Sequence, residues 1–583
     1  MQIERIKRLV KVAKGEIPAD LVILNGDLIN VYSGEILSGF SIAIKDERIA
    51  CIGKDVSYCI GDKTCIIHAD GMSIIPGLID SHTHLLMYSP VHEVIKYAIK
   101  GGTTTIVSEA IELVFPYGIF GITDFLNWIK NQPIRILITI PAIHSISPLG
   151  QKKVINLKDF RALLGIDNIL GLGETIWSSI LNEDMRIISL ISETLEMGKL
   201  IEGHGAGAKG KYLCSFVASG ISSCHESVST EDIIERLRLG LYAMIREGDI
   251  RKELDSISNI KNMNLDFRRI ILVSDGVAPN TLIKHGYMNY ILQKAINKGF
   301  DPIKAIQMVT INPAEHFKLD HLIGGIAPHR YADIVIIPDL KNIKPIYVIS
   351  NGKLLLKEEK ILQEPRIPKY RKEPFPSINI PKLTPADFVI STKKDGMVKV
   401  RVINLVSPLV TKELLWNLPI NNGQVLLDLD EDILKIAALT KSNHTIDKFV
   451  GFIKGFGLKK GAFATSAVWD ACLIIVVGTN ENDMANAVNR VLEIGGGIAI
   501  SEGGQIVVEL NMPIGGVIAD MPINKIAKYM HDIQIKLESF GCSLPDAHLT
   551  LSTLTTPYIP FIKISEKGMF DIKACTFVSL FPD

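Results

Sequence analysis

The chain has 583 residues, 47% hydrophobic and 22% charged, the profile of a folded globular protein rather than a disordered one. At about 150 residues per domain, that length allows two to four domains, none needing a disulfide or metal merely to fold. Lys and Arg total 63, as do Asp and Glu, so there is no formal net charge. This argues against nonspecific binding to a phosphate backbone, which needs surplus cations.

The N-terminus carries Glu4, Arg5, Lys7 and Arg8 with no apolar stretch behind them, so it is not a secretory signal. Apolar Ile3, Ile6, Val10 and Val12 among those charges predict an amphipathic helix packed on the protein. Residues 20–25, 39–45 and 48–53 then read as short strands, punctuated by Asn25-Gly26 and Asp46-Glu47. Residues 1–73 are therefore expected to open a small β-domain. From 74 to 325, strand-like runs at 104–108, 136–140, 169–173 and 270–274 alternate with helical stretches. That alternation predicts βα units, and about 250 residues of them fit a (β/α)₈ barrel. Residues 334–338 and 346–353 return to β character, and segment 326–363 is expected to complete the β-domain from the far side. Pro365, Pro368, Pro374, Pro376, Pro381 and Pro385 mark 364–386 as a semi-rigid linker. Residues 387–583 are long enough for a further α/β domain.

The cysteines form no CxxC pair, which excludes zinc-ribbon and thioredoxin-type sites and leaves reduced thiols as the expectation. The longest late apolar run, 471–477, has seven residues against the roughly 20 that span a bilayer. A cytoplasmic protein with neither membrane nor nucleic-acid partners is expected. Gly495-Gly496-Gly497 follows a helical stretch and precedes a strand, the place of a helix stop rather than a phosphate loop.

The strongest chemical signal is Pro76-Gly77-Leu78-Ile79-Asp80-Ser81-His82-Thr83-His84. Two residues apart on a strand, His82 and His84 project to one face. Further ligand-type residues follow later strand candidates: Glu174 after 169–173, His204 after 200–203, His225 after 220–224 and Asp275 after 270–274. In a barrel, the C-terminal strand ends form the active-site face. Four imidazoles and two carboxylates suffice for two divalent ions with Glu174 shared. Mixed N/O donors suit Zn, Mn or Fe(II) better than Ca or Mg. Two such ions lower the pKa of a shared water, and Asp275 is placed to take its proton and pass it to a leaving group. The implied chemistry is metal-assisted hydrolysis at a planar carbon.

These residues resemble the amidohydrolase (metallo-dependent hydrolase) superfamily and, within it, the adenine deaminase family. The likeness runs through GGTTTIV, GLGE, EGHGAG, SGISSCHE and LRLGLYAMIREG in the barrel. In the last third it runs through GFGLKKGAFATS and DAHLTLSTLTTPYIP. The resemblance implies a metal-dependent barrel with a composite β-domain and the family's own C-terminal domain. It implies conversion of adenine to hypoxanthine and ammonia in purine salvage, usually with manganese or iron, and a homo-oligomer. It maps His82, His84, Glu174, His204, His225 and Asp275 onto the metal centre. Glu226 becomes a candidate for holding or protonating a purine ring nitrogen.

The chain also departs from the family pattern. Ile-Glu-Ser after the paired histidines is here Leu85-Leu86-Met87, and Asp-Pro-His-Glu is Glu109-Ala110-Ile111-Glu112. Asp-Asp-Arg-His is Asp275-Gly276-Val277-Ala278, and His-Asp-Ser-His is Trp469-Asp470-Ala471-Cys472. Polar groups give way to apolar ones in all four segments, and the expectation is that the lost groups face one shared region. Two alternatives stand beside adenine: another cyclic amide or amino-heterocycle as substrate, and a non-catalytic ligand-binding protein.

Overall fold

The computed structural model of the chain describes residues 2–372, 381–442 and 445–582. At its centre are eight strands: β1 (Leu78–Thr83), β2 (Thr103–Glu109), β3 (Arg135–Ile140), β4 (Ile169–Ile176), β5 (Leu200–His204), β6 (Ser223–Cys224), β7 (Tyr242–Arg246) and β8 (Ile270–Val273). Strands β1 to β5 form one parallel arc in chain order, and β6 to β8 form a second. Two backbone hydrogen bonds join the arcs into a barrel. Ser222 N donates to Ile201 O at 2.9 Å, and Asp275 N donates to His82 O at 3.0 Å.

The helices that wrap this barrel follow from sequence periodicity. In Val91–Lys100, Val91, Val94, Ile95, Ala98 and Ile99 are buried, the i, i+3, i+4 stripe of a helix with one apolar face. Thr230–Arg238 starts at a capping box in which Ser229 and Asp232 satisfy each other's backbone N–H groups. Strand runs 104–108, 136–140 and 169–173 fall inside β2, β3 and β4, and β8 stops one residue short of the expected 274. The run 220–224 shrinks to the two residues of β6.

The segments flanking the barrel share one sheet. Ser73–Pro76 pairs antiparallel with Ile334–Ile337, with Ile334 opposite Pro76. On its other side lies Leu21–Asn30, in parallel. The sheet continues to Arg48–Gly53 at one edge and Lys360–Ile361 at the other. The Asn351-Gly352 turn sits against this sheet, both residues having positive φ (48° and 74°), and a Cβ on Gly352 would strike the Asp46 carbonyl. The N-terminal helix is Gln2–Ala13. It packs through Leu9 and Val12, whereas Ile3, Ile6 and Val10, expected on the packed face, are exposed.

Pro374 and Pro376 lie outside the described residues. Before them the chain is held on the barrel, because Arg366 donates to the carbonyls of Asn127, Trp128 and Lys130 and Tyr370 meets Trp128 edge-on. The last third is built on a sheet running from Gln424–Val425 to Gln505–Asn511. The helix Glu481–Glu493 packs on that sheet and ends before Gly495 and Gly496, whose positive φ angles (82° and 112°) turn the chain into Gly497–Glu502. Among the described residues, no disulfide joins the cysteines. Among the described residues, no helix is long and apolar enough to cross a membrane.

Candidate metal centre and its cavity

The barrel topology brings the separate sequence signals to one end. His82 is inside β1 and His84 one residue past it; Glu174 is inside β4, His204 ends β5, His225 follows β6, and Asp275 lies two residues beyond β8. Asp275 has φ of +60°, and its N–H bond to the His82 carbonyl fixes that left-handed turn. All six side chains are buried.

Their ligand atoms fall into two groups, each within 4.8 Å: His82, His84, Glu174 and Asp275, then Glu174, His204 and His225. Glu174 belongs to both. His82 Nε2 lies 3.1 Å from Glu174 Oε1 and 3.3 Å from Asp275 Oδ1, yet it has no hydrogen-bond partner. His84 Nε2 is 3.6 Å and His225 Nε2 3.2 Å from the same Glu174 oxygen. A buried nitrogen this near two carboxylates, with no hydrogen bond to either, fits a shared cation between them. The donor set therefore fits divalent metal ions, with Glu174 common to both groups. Burial alone would raise the Glu174 carboxyl, but the three facing imidazoles hold it well below the usual carboxylate range.

Outside this cluster are groups that motif reading did not reveal. Arg246, the last residue of β7, is 2% exposed. Its Nε and Nη2 donate to the two oxygens of Glu253 at 2.9 and 2.8 Å. The same guanidinium donates to both oxygens of Glu226 and, at 3.2 Å, to Asp275 Oδ2. Glu226 also lies 3.2 Å from His204 Nε2. Burial opposes its charge, yet Arg246 and His204 keep its carboxyl well below the ordinary range. The sequence sign of Arg246 is its place in LRLGLYAMIREG, a string that carries the family likeness without marking this residue's role.

Glu109, at the end of β2, is the opposite case. Burial and then the charge of Glu174 push its carboxyl up to about 8. Its Oε2 accepts from Thr139 Oγ1 at 2.8 Å and from the Glu174 backbone N at 3.3 Å. The glycine before Glu174 has a physical cause here, since a Cβ on Gly173 would overlap the Glu109 carboxylate.

The centre opens into a cavity of about 90 Å³. The barrel supplies Glu174, His204, His225, Glu226, Arg246 and Asp275 to its wall, and the last third of the chain supplies Trp469, Asp470, Thr556, Tyr558 and Pro560. The Trp469 ring stands perpendicular to His84 with centroids 4.7 Å apart, and Tyr558 meets His204 at 4.9 Å. A second, smaller cavity behind Trp469 is bordered by Leu86, Ile111, Phe115 and Val517. Three of the departure positions, Leu86, Ile111 and Trp469, thus meet in one space, as expected, with Glu112 and Asp470 also on its border. Ala278 and Cys472 border neither cavity, which corrects the expectation for those two. Ala278 is the N-cap of Pro279–His285, and Cys472 is buried in an apolar cluster.

Comparison with known proteins agrees with this architecture. The amidohydrolase family profile matches residues 73–355, and the adenine deaminase C-terminal domain matches 408–576. An adenine deaminase from Clostridium botulinum is 34% identical, covering 99% of this chain and 97% of its own length. One from Moorella thermoacetica is also 34% identical, covering 97% and 96%. An adenine deaminase from Cenarchaeum symbiosum is 31% identical over 98% of this chain and 94% of its own length. With identity above 30% along nearly its whole length, and with both family segments in order around a metal-binding barrel, the chain belongs to the adenine deaminase family of the amidohydrolases.

Proposed function

We propose that the chain is an enzyme that hydrolyses adenine to hypoxanthine and ammonia, as a step of purine salvage in the cytoplasm. The observation that carries this reading is the buried cluster of four imidazoles and two carboxylates facing a cavity, in a chain matched end to end by adenine deaminases. In this reading, residues 74–325 are the catalytic barrel, 1–73 and 326–363 its composite β-domain, 364–386 the linker and 387–583 the domain that closes the cavity.

His82, His84, Glu174 and Asp275 would hold one ion, and Glu174, His204 and His225 a second, with manganese the expected metal. Two such ions supply Lewis acidity and make hydroxide available at neutral pH. Asp275 has one oxygen toward His82 and the other accepting from Arg246, so its carboxylate is oriented to take a proton from the attacking water. The same carboxylate then delivers that proton to the departing amino group. Glu226, an ionised carboxylate fixed by two bonds from Arg246, faces the cavity, where it favours the protonated form of a nitrogen of the six-membered ring and so raises the electrophilicity of the adjoining carbon. Trp469 and Tyr558 cover the reacting groups and exclude bulk water.

The test is ultraviolet detection of adenine loss by protein reconstituted with manganese, with metal content measured on the same sample. Formation of hypoxanthine that stops on chelation is expected. Protein that holds about two ions per chain and leaves adenine intact would refute the reading.

A further inference from the structure

Asp470 is a carboxylate for which the mechanism above has no task. It is 4% exposed, yet it borders the cavity of the metal centre from the side opposite the barrel. Its placement is over-determined. The backbone is in the left-handed region, with φ of +57°. Its carbonyl accepts from Ser145 Oγ of the barrel at 2.5 Å. The preceding residue is pinned on both sides, since Trp469 N donates to Ser552 O at 3.1 Å and Trp469 O accepts from Thr555 Oγ1 at 2.5 Å. The Thr556 hydroxyl donates to Oδ2. Among the described residues Asp470 makes no ion pair, and Oδ1 has no hydrogen-bond partner. A buried carboxylate satisfied by a single hydroxyl is costly. One held so firmly against a substrate cavity is explained by a donor that arrives with the ligand.

Adenine offers few donors. Its exocyclic amino group is lost in the reaction. The ring nitrogens accept, except for the single N–H of the five-membered ring. That N–H is the one donor the base keeps from substrate to product. Glu226 is engaged on the barrel side of the cavity, so a second acceptor on the facing wall matches the five-membered ring. We propose that Asp470 is the specificity-determining residue of this enzyme, accepting the five-membered-ring N–H of the free base. A purine substituted at N9, such as a nucleoside, leaves the carboxylate without its donor and meets the wall formed by Thr556 and Pro560. The inference rests on the adenine reading of the site.

The experiment compares adenine with 9-methyladenine on the full-length, manganese-loaded wild type, Asp470→Ala and Asp470→Asn. Wild type is expected to prefer adenine by roughly 100-fold or more in kcat/KM. Asp470→Ala should lose roughly 10- to 100-fold on adenine, mostly through KM, while changing little on 9-methyladenine. The preference then shrinks by at least tenfold at unchanged metal content. Where 9-methyladenine is not turned over, competition constants for the two bases carry the same comparison. Asp470→Asn keeps the shape and a weaker acceptor, so it should shrink the preference less, and it serves if the alanine variant does not fold. Equal loss on both substrates, or a fall in kcat alone, would overturn the role of Asp470 while leaving the deaminase reading intact. Metal-loaded wild type inactive on adenine would overturn both.

Discussion

The two walls of the cavity are built from different chemistry. The barrel wall carries histidines, Glu174, Glu226, Asp275 and Arg246, nearly all facing one another. The wall from the last third of the chain is aromatic, hydroxylic and apolar, with Asp470 its sole carboxylate among the described residues. The contrast separates two tasks. A reaction that develops charge needs fixed, paired charges, and strand ends of a closed barrel fix them. Selection and exclusion of water need shape and a few well-placed polar atoms, and a separate layer laid over the barrel provides them. Changes on the barrel wall should therefore cost chemistry, and changes on the other wall should cost selection or stability.

The largest effect is expected from His204→Ala. It removes one of two imidazoles from the second ligand group. Turnover should vanish, and metal per chain, by elemental analysis, should fall by about one ion. Retained turnover at wild-type rate would remove the metal mechanism. Chelation of the wild type should lower its melting temperature, because a ligand held at about a thousandfold above its Kd contributes about 4 kcal/mol to the folded state. An unchanged melting curve after verified metal removal would mean that the cluster is not organised by ions.

Arg246→Ala comes next. It leaves Glu226, Glu253 and part of Asp275 buried without their cation, and breaking one side of such a buried pair costs about 3–5 kcal/mol. Arg246→Lys keeps the charge but not the fork that serves three carboxylates. It should fold better than the alanine variant, as read by denaturant midpoint, and still lose kcat. Equal kcat in wild type and the lysine variant would show that charge alone, not geometry, orients Glu226 and Asp275. Gly173→Ala should act through the same wall at shorter range. Its Cβ must displace the Glu109 carboxylate beside the Glu174 backbone, so kcat should fall more than metal content does.

Much of the barrel wall is legible in the sequence. Its residues sit at strand ends, and strand ends are marked by apolar runs of recognisable length. Position along the chain thus stood in for position in space. Glu174 could be placed against His204 because the barrel is closed in chain order. Arg246 and Glu253 stayed hidden because an Arg or a Glu near a strand end reads as a solvated surface charge until its burial is known. The second wall was less legible still. Trp469, Asp470 and Tyr558 come from loops whose approach to the barrel depends on packing between distant segments, and no periodicity encodes that. The N-terminal helix shows the same limit at small scale. Its helical period was plain, but which stripe would pack was not, and Leu9 with Val12 is buried where Ile3 and Ile6 are not.

The smallest effect lies in the second wall itself. Lys563 is fully buried in Ile562–Ser565, and its ammonium donates to the carbonyl of Thr553 at 3.0 Å and of Leu409 at 3.5 Å. Thr553 borders the cavity. Burial, reinforced by the charge of Arg251, pulls the Lys563 ammonium down to about 7, whereas an unfolded lysine titrates near 10.4. Between those values the unfolded chain binds more protons than the folded one, so stability rises with pH across that window. The slope from this group is at most about 1.4 kcal/mol per pH unit. Lys563→Met keeps the volume and removes the titration. Its denaturant midpoint should therefore exceed that of wild type at pH 7, by a margin that narrows through pH 9 and closes only above about pH 10.4. Midpoints that stay parallel from pH 7 to 9 would mean that Lys563 keeps its proton in the folded protein. The pH dependence of this wall would then have to come from the charges across the cavity, and the division between the two walls would weaken accordingly.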